Sequence, residues 1–213
     1  MRRYILLAHI GLGLILAGCT GGSAPLPFAP EFYRLPRTAP LSTPLAAVAV
    51  YQFVDKRSVA APTVLGEHPV RTGTSGRAVF YATEPVGTGV ARAFVEGLRA
   101  QGFQVLDRTM NPLSGKREEE PSIPAISGEV LAFSSSSRRT GLVSYVGGAA
   151  FHVRVQVYGS KVAKVFWERS YSKSSDAFLI NSQLVFLSRS LAESVEDAMN
   201  DPTFFEAVRR SSD

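Results

Sequence analysis

A ten-residue segment in the C-terminal half of the chain alternates apolar and polar side chains with a period of two. Between Ala149 and Tyr158 the odd positions are all apolar, whereas the even positions include His152, Arg154 and Gln156. Successive side chains of a β-strand point to opposite faces, so this alternation predicts a strand with one face on a core and one toward water. The fold therefore has to contain a sheet that is open on one side.

The residues that follow predict a β-hairpin. Gly159-Ser160-Lys161 is expected to form a three-residue turn. Val165 would then lie opposite Val155, and two positions farther on Trp167 would lie opposite Val153. A turn one residue shorter would bury charged side chains of the returning strand, so the burial of apolar groups favours the three-residue turn. Val153, Val155 and Trp167 are thus predicted to be core residues.

The first half of the chain predicts a β-helix-β unit. Ala46 to Val54 is almost entirely apolar, which is typical of a central strand covered on both faces. Thr83 is the expected N-cap of a helix, Gly102 the expected residue just after its end, and Phe103 to Leu106 a short strand. The two strands are expected to be parallel. The helix is predicted from four apolar residues with a spacing of four: Val86, Val90, Phe94 and Leu98.

The rest of the chain predicts shorter strands, loops and two late helices. A loop rich in Gly, Pro and Thr, which includes His68, is expected from residue 58 to about residue 75, and a polar loop is expected at residues 107–125. Strands are expected at Ala78–Tyr81 and at Ile126–Phe133, the second fading into a serine run. The predicted helices are Ser182–Met199 and a short one whose N-cap and first residue are Asp201 and Pro202.

These elements together predict a single domain of the α+β class. The expected architecture is a small, mostly antiparallel sheet of three to five strands, with a β-α-β start and helices packed on one face. Residues 46–213 would form this domain.

The N-terminus carries the features of an export signal. Arg2 and Arg3 precede the apolar run Tyr4–Leu16, which is too short to span a bilayer. Leu16-Ala17-Gly18-Cys19 follows and resembles the lipobox of bacterial lipoproteins. That resemblance implies cleavage before Cys19, lipid on its thiol and a signal peptide at residues 1–18. The alternatives are an ordinary secretory signal with a coincidental cysteine, or an N-terminal anchor helix.

The residues after the cysteine indicate a tether and a location. Six prolines between residues 19 and 45 prevent a continuous helix, so this segment is expected to be extended. Thr20 follows Cys19, where the sorting rule of enteric lipoproteins places an aspartate for retention at the inner membrane. By that resemblance, the outer membrane is the expected location, with the domain facing the periplasm.

Composition argues against several functions. Cys19 is the only cysteine, so no thiol remains for catalysis or metal binding once it is lipidated. Removal of Arg2 and Arg3 lowers the net charge from +5 to +3. This is not the strongly basic charge that is typical of proteins that bind nucleic acids. We therefore predict a protein that is not an enzyme and that binds no cofactor, metal or nucleic acid. A periplasmic hydrolase would require a deep pocket holding His152 or His68 beside a serine.

The open face of the predicted hairpin is the candidate interaction face. Cross-strand spacing would pair His152 with Glu168 and stack Arg154 on Phe166. This face is either simply solvated, or a docking surface for another envelope component, or covered by aromatic residues of the tether. Its predicted members are His152, Arg154, Gln156, Lys164, Phe166 and Glu168.

Residues 46–210 resemble the YajG-type lipoproteins of the bacterial outer membrane. The likeness rests on distributed segments rather than one motif, and it implies a location and a fold, since that family has no settled activity. The segments that carry it are Val54-Asp55-Lys56-Arg57, Leu98 to Phe103, Arg169-Ser170-Tyr171 and the late helix ending near Asp201.

A second resemblance involves the tether. Phe32-Tyr33-Arg34-Leu35-Pro36 resembles the Tyr-x-Leu motif of auxiliary lipoproteins of envelope lipid-transport ABC systems. Neighbouring genes for a permease, an ATPase and a substrate-binding subunit would favour this alternative. The leading hypothesis is a structural or adaptor lipoprotein, held to the membrane by lipid on Cys19, whose domain binds an unidentified envelope protein or glycan.

Overall fold

The computed structural model describes residues 47–69, 77–113, 123–141, 145–159, 164–176 and 180–210. The predicted signal peptide, Cys19 and the predicted tether lie outside these ranges. The described elements are, in chain order, β1 (Ala47–Gln52), β2 (Val54–Asp55), β3 (Val64–Pro69), β4 (Arg77–Tyr81), α1 (Val86–Ala100), β5 (Gln104–Pro112), β6 (Ala125–Arg139), β7 (Tyr145–Tyr158), β8 (Val165–Ser175), α2 (Ile180–Asn200) and α3 (Pro202–Arg210).

The main sheet has the strand order β5-β1-β6-β7-β8. β1 pairs in parallel with β5 and β6, and the long strands β6, β7 and β8 pair antiparallel. The α+β class and the β-α-β start are therefore confirmed. The sheet has six strands rather than three to five, because β2 continues beyond β1 and pairs with β6.

The core lies between this sheet and the three helices. All four residues of the predicted helical stripe, from Val86 to Leu98, are fully buried. Phe94 of α1 stacks on Phe53, with 5.5 Å between ring centres. As predicted, β1 is covered on both faces: Val50 faces the main core, whereas Tyr51 belongs to a small second cluster on the other side of the sheet.

The two ends of α1 differ in how well the sequence predicts them. The N-cap is Pro85 rather than Thr83, and no side chain caps this end; the first amide, that of Val86, donates instead to the carbonyl of Pro62. The C-terminal prediction is confirmed, since Gly102 has a φ of +90° and follows the helix. The Phe103 amide donates to the Leu98 carbonyl at 3.1 Å, as in a Schellman motif.

The predicted register of the β7–β8 hairpin is wrong by four residues. Val153 pairs with Tyr171, not Trp167, and Trp167 pairs with Val157. The connection is longer than the predicted three residues, because β8 begins at Val165. Trp167 packs edge-on against Phe204 of α3 at 5.1 Å. Because a shift of four is even, the side chains of β8 from Trp167 onward keep their predicted faces, whereas an irregularity before Trp167 brings Val165 opposite Tyr158 instead of Val155.

Several segments expected to be loops are strands. β3 and β4 form a hairpin across β6, and β3 contains His68, for which the sequence predicts a loop. β5 extends into the predicted loop at 107–125, and β6 continues through its serine run to Arg139. Those serines pair with glycines and alanines of β7.

Arg57, just after β2, links three segments of the chain through its guanidinium. Its guanidinium binds both oxygens of Asp55, at 2.9 and 2.6 Å. It also donates to the carbonyls of Phe133, Val64 and Pro62 at 2.8 to 2.9 Å. Only 3% of the Arg57 side chain is exposed. This one residue thus links β6 to the start of the β3–β4 hairpin.

Candidate interaction face

The six residues of the predicted interaction face lie on or beside the β7–β8 hairpin. His152, Arg154 and Gln156 are partly buried on the face of β7 opposite the core, while Lys164, Phe166 and Glu168 are exposed. The even-numbered register shift keeps His152, Arg154, Gln156 and Glu168 on one face but changes their neighbours. Cys19, the predicted lipid attachment site, lies outside the described residues.

Neither predicted pair within this face forms. His152 lies opposite Ser172, and Glu168 lies opposite Gln156. The Gln156 side-chain amide donates to Glu168, and its oxygen accepts from the Tyr158 hydroxyl at 2.6 Å. Burial first, and then the nearby carboxylates of Glu129 and Glu168, raise the pKa of Tyr158. Its hydroxyl therefore stays protonated and able to donate.

Arg154 is the centre of a charged ladder across three strands. It lies directly opposite Glu129 of β6 and binds that carboxylate at 2.9 Å. On its other side, its Nε lies 3.9 Å from the Glu168 carboxylate of β8. The arginine side chain is 37% exposed, so solvent screens this pairing. The ladder presents one cation between two acids.

Phe166 lies at an irregularity of the edge strand. Tyr158 pairs with Val165 and Val157 pairs with Trp167, which leaves Phe166 as the extra residue of a β-bulge. Phe166 is 40% exposed and Val165 is 38% exposed. The Lys164 ammonium lies 5.4 Å from the centre of the Phe166 ring, so the cation–π contact that the sequence predicts for Arg154 is made by lysine instead.

Sequence reasoning missed a buried polar cluster around His68. His68 is 2% exposed, and its ring contacts Phe80 edge-on at 4.9 Å. Its Nδ1 lies 2.8 Å from the Ser137 hydroxyl and its Nε2 lies 2.9 Å from the Ser135 hydroxyl. Ser135 in turn donates to the side-chain oxygen of Gln183. The serine run was the signal that could have found it, since buried hydroxyls require partners.

The His68 cluster is poorly suited to proton transfer. Burial lowers the pKa of His68, and this effect is larger than the opposing effect of a hydrogen bond to the Ser135 backbone. Both ring nitrogens are occupied by serine hydroxyls, so no carboxylate contacts the ring to stabilise an imidazolium. A histidine does lie beside a serine, as a hydrolase would require, but its surroundings favour the neutral ring.

Within the described ranges, no group of three or more histidine, cysteine, aspartate or glutamate side chains is arranged to hold a metal ion. Among the helices described, none is both long and apolar enough to cross a membrane.

Comparisons with known proteins identify similar folds. No family model matches the sequence, and no curated protein is similar to it. A neuraminyllactose-binding hemagglutinin homolog from Helicobacter pylori has a TM-score of 0.51 at 7% identity, covering 88% of this chain and 99% of that one.

Two other solved structures have lower TM-scores. A lipoprotein from Neisseria meningitidis has a TM-score of 0.43 at 11% identity, covering 74% of this chain and 100% of that one. A DUF330 protein from Xanthomonas campestris has a TM-score of 0.45 at 12% identity, covering 73% and 81%. At these identities, the likeness of this chain to the Helicobacter protein is one of fold.

Proposed function

We propose that this chain is a YajG-type lipoprotein of the cell envelope, anchored by lipid on Cys19, whose domain acts as a non-catalytic adaptor. The partner would be another envelope protein, bound on the outer face of the β7–β8 hairpin. This proposal combines the lipobox-like sequence with one structural observation. That observation is an exposed aromatic side chain, Phe166, at the edge of a sheet face that also carries the Arg154 ladder.

The composition of this face supports a protein partner rather than a glycan. Aromatic residues and arginine are enriched where proteins bind each other, because they supply a large contact area and several hydrogen-bond donors. Here Phe166 and Val165 supply apolar surface, and Arg154 holds donors between two carboxylates. Complementary charges on a partner would fix the orientation of such a complex.

A non-catalytic role is supported by the His68 cluster. Its imidazole is bonded to two hydroxyls and is enclosed, so it can hold the β3–β4 hairpin on β6 without acting as a base. A single cysteine in the sequence, predicted to carry lipid, leaves no thiol nucleophile.

The anchor is tested by Cys19→Ser. We expect this variant to lose lipid labelling and membrane retention, because all acyl chains depend on that cysteine and at least two chains are needed for stable anchoring. Thr20→Ala, which keeps the cysteine, is the matched control. Mature Cys19→Ser protein that still fractionates with membranes would contradict the proposal.

The outer-membrane location is tested separately with Thr20→Asp. The sorting rule predicts that this variant shifts to the inner membrane while still carrying lipid. An unchanged distribution between the two membranes would mean that the rule does not apply to this chain.

The interaction face is tested by crosslinking in intact envelopes. We expect Arg154→Glu combined with Phe166→Ala to lose partners that the wild type captures at equal abundance. The control combines Arg210→Glu with Val185→Ala, which are exposed on the helices. Circular dichroism establishes that both variants fold. Unchanged partners would mean that the face is only solvated, and a crosslinked glycan would replace the proposed class of partner.

The identity of the captured partner also tests the alternative. Recovery of a permease or a substrate-binding subunit of a lipid-transport ABC system would assign this chain to such a system as its auxiliary lipoprotein.

A further inference from the structure

The outer face of the sheet carries an apolar row close to the point where the tether joins the domain. Ala49, Ala125 and Tyr158 lie side by side on β1, β6 and β7, and Val165 of β8 continues the row. The two alanines belong to the small second cluster and Tyr158 packs against it, whereas Val165 is exposed at the edge of the sheet. β1 begins at Ala47, two residues before this row. The tether therefore joins the domain at the end of the face that carries the exposed apolar groups.

Next to this row, two carboxylates lie on either side of one guanidinium. Arg154 binds Glu129 at 2.9 Å, but its Nε is 3.9 Å from Glu168, which is beyond hydrogen-bond distance. Glu168 accepts a hydrogen bond from Gln156, and its side chain is 46% exposed. A carboxylate has two oxygens and about four acceptor positions, so Glu168 has room for a further donor. Besides burial, both carboxylates raise the pKa of Tyr158, which is an independent indication of a negative potential here.

The spacing of the exposed groups on β8 matches a pair of residues in the tether. Phe166 and Glu168 are two residues apart, which corresponds to about 6.6 Å along an extended strand. Side chains two residues apart in an extended segment point to the same side. Phe32 and Arg34 are such a pair in the tether, which is expected to be extended. The tether therefore offers an aromatic ring and a cation at the spacing of the exposed ring and the carboxylate.

The tether is long enough to place this pair on β8. Thirteen residues lead from Arg34 to Ala47, and an extended chain of that length spans about 40 Å. Glu168 lies in the same row as Gln156 and Ser127, three strands away from β1 and about four residues along the strands from Ala47. That displacement corresponds to about 20 Å. The segment can therefore reach the face and turn back to β1.

We propose that the tether folds back on this face in the free protein and covers it. The Phe32 ring packs on Phe166, at the β-bulge of the edge strand. The Arg34 guanidinium binds the Glu168 carboxylate, for which its planar group of donors is well suited. This inference rests on the proposed function in one respect, since the same face binds the envelope partner. The tether is then an internal competitor that the partner has to displace.

The contact is tested by photo-crosslinking in the purified full chain in detergent. The photoreactive analogue p-benzoylphenylalanine replaces Phe166, and mass spectrometry maps its crosslinks. We expect crosslinks to the segment around Phe32 within one chain. The matched control carries the analogue at Val185 of α2, which is 65% exposed and lies on the other side of the sheet. Tether crosslinks that are no more frequent than from Val185, or that join only two different chains, would overturn the proposal.

A double-mutant cycle tests the ion pair. Arg34→Gln and Glu168→Gln are each expected to lower the ratio of bound to free tether about fivefold, because one exposed ion pair is lost. Both remove the same contact, so the double variant is expected to lose no more than either single variant. Arg37→Gln, also in the tether, and Glu206→Gln on α3 are the matched controls. Equal losses in Arg34→Gln and Arg37→Gln, or additive losses in the double variant, would contradict the assigned pair.

Competition with the partner is tested in intact envelopes. Arg34→Gln leaves the face itself unchanged, so it is expected to capture up to about fivefold more partner than the wild type at equal abundance. Unchanged or reduced capture would refute the competition.

The two proposals can fail independently. Partner capture that depends on Arg154 and Phe166, without tether crosslinks, would leave the adaptor role and remove this inference. Tether crosslinks without any captured partner would leave the contact and remove the adaptor role.

Discussion

Substitution of Arg57 by alanine is expected to lower the free energy of unfolding by about 3–5 kcal/mol. In the native structure, one guanidinium binds the Asp55 carboxylate with two nitrogens and reaches three backbone carbonyls. Alanine would remove every one of these donors at once. The Asp55 side chain is only 17% exposed, so its charge would remain largely shielded from water without a counterion.

The magnitude follows from the asymmetry between making and breaking such a pair. A buried ion pair contributes little net stability, because both charges lose their hydration, but removal of one partner leaves that cost unbalanced. Within that total, each unpaired carbonyl contributes about 1 kcal/mol if water does not reach it. Arg57→Lys is expected to retain only part of the stability, since a single ammonium cannot reproduce the planar arrangement of donors.

Urea titration monitored by circular dichroism measures the effect. With a slope of about 2 kcal/mol per molar urea, the alanine variant should shift the midpoint by roughly 2 M. Arg92→Ala is the control, because Arg92 forms an exposed ion pair with Glu84 and should cost at most about 1 kcal/mol. A shift in Arg57→Ala no larger than that control, or full rescue by lysine, would refute the reasoning.

Three other predictions use the same measurement. Val155→Ala should lower the free energy of unfolding by about 1–3 kcal/mol, because Val155 is fully buried. His152→Ala, on the open face, should leave the free energy of unfolding nearly unchanged. The opposite ranking would contradict the assignment of the two faces. Gly66→Ala should cost more than about 4 kcal/mol, because its Cβ would lie 1.5 Å from a carbonyl oxygen of β6. Gly102→Ala, which meets no atom within 4 Å, should cost only the backbone strain of about 1–3 kcal/mol, and equal losses would disprove the steric argument. Because burial lowers the pKa of His68 below 6.5, its stabilising contribution is complete above pH 6.5 and decreases as the pH falls toward the pKa of the folded state. The loss of stability in His68→Gln should therefore be smaller at about pH 5 than at about pH 7, and a pH-independent loss would argue against a buried neutral ring.

The sequence determined which side of β7 and which side of α1 are buried. Alternation in β7 placed Val153 and Val155 in the core and His152 on the open face, and the spacing of apolar residues in α1 defined its buried stripe. These features follow from the geometry of a single element, whose side-chain period is set by its own backbone. The C-terminal end of α1 was also predictable from the local sequence, because a glycine with positive φ is needed there.

The tertiary structure decided how the elements meet. The pairing of Val153 with Tyr171 accommodates the contact of Trp167 with α3, and any even shift would have kept the same faces. The charged ladder of the candidate face depends on that pairing and on Glu129 from a third strand. The position of His68 depends on β3 crossing β6, a contact between residues 67 and 69 positions apart. Such long-range contacts produce no periodic pattern in the sequence of either segment, because each contact depends on the partner segment.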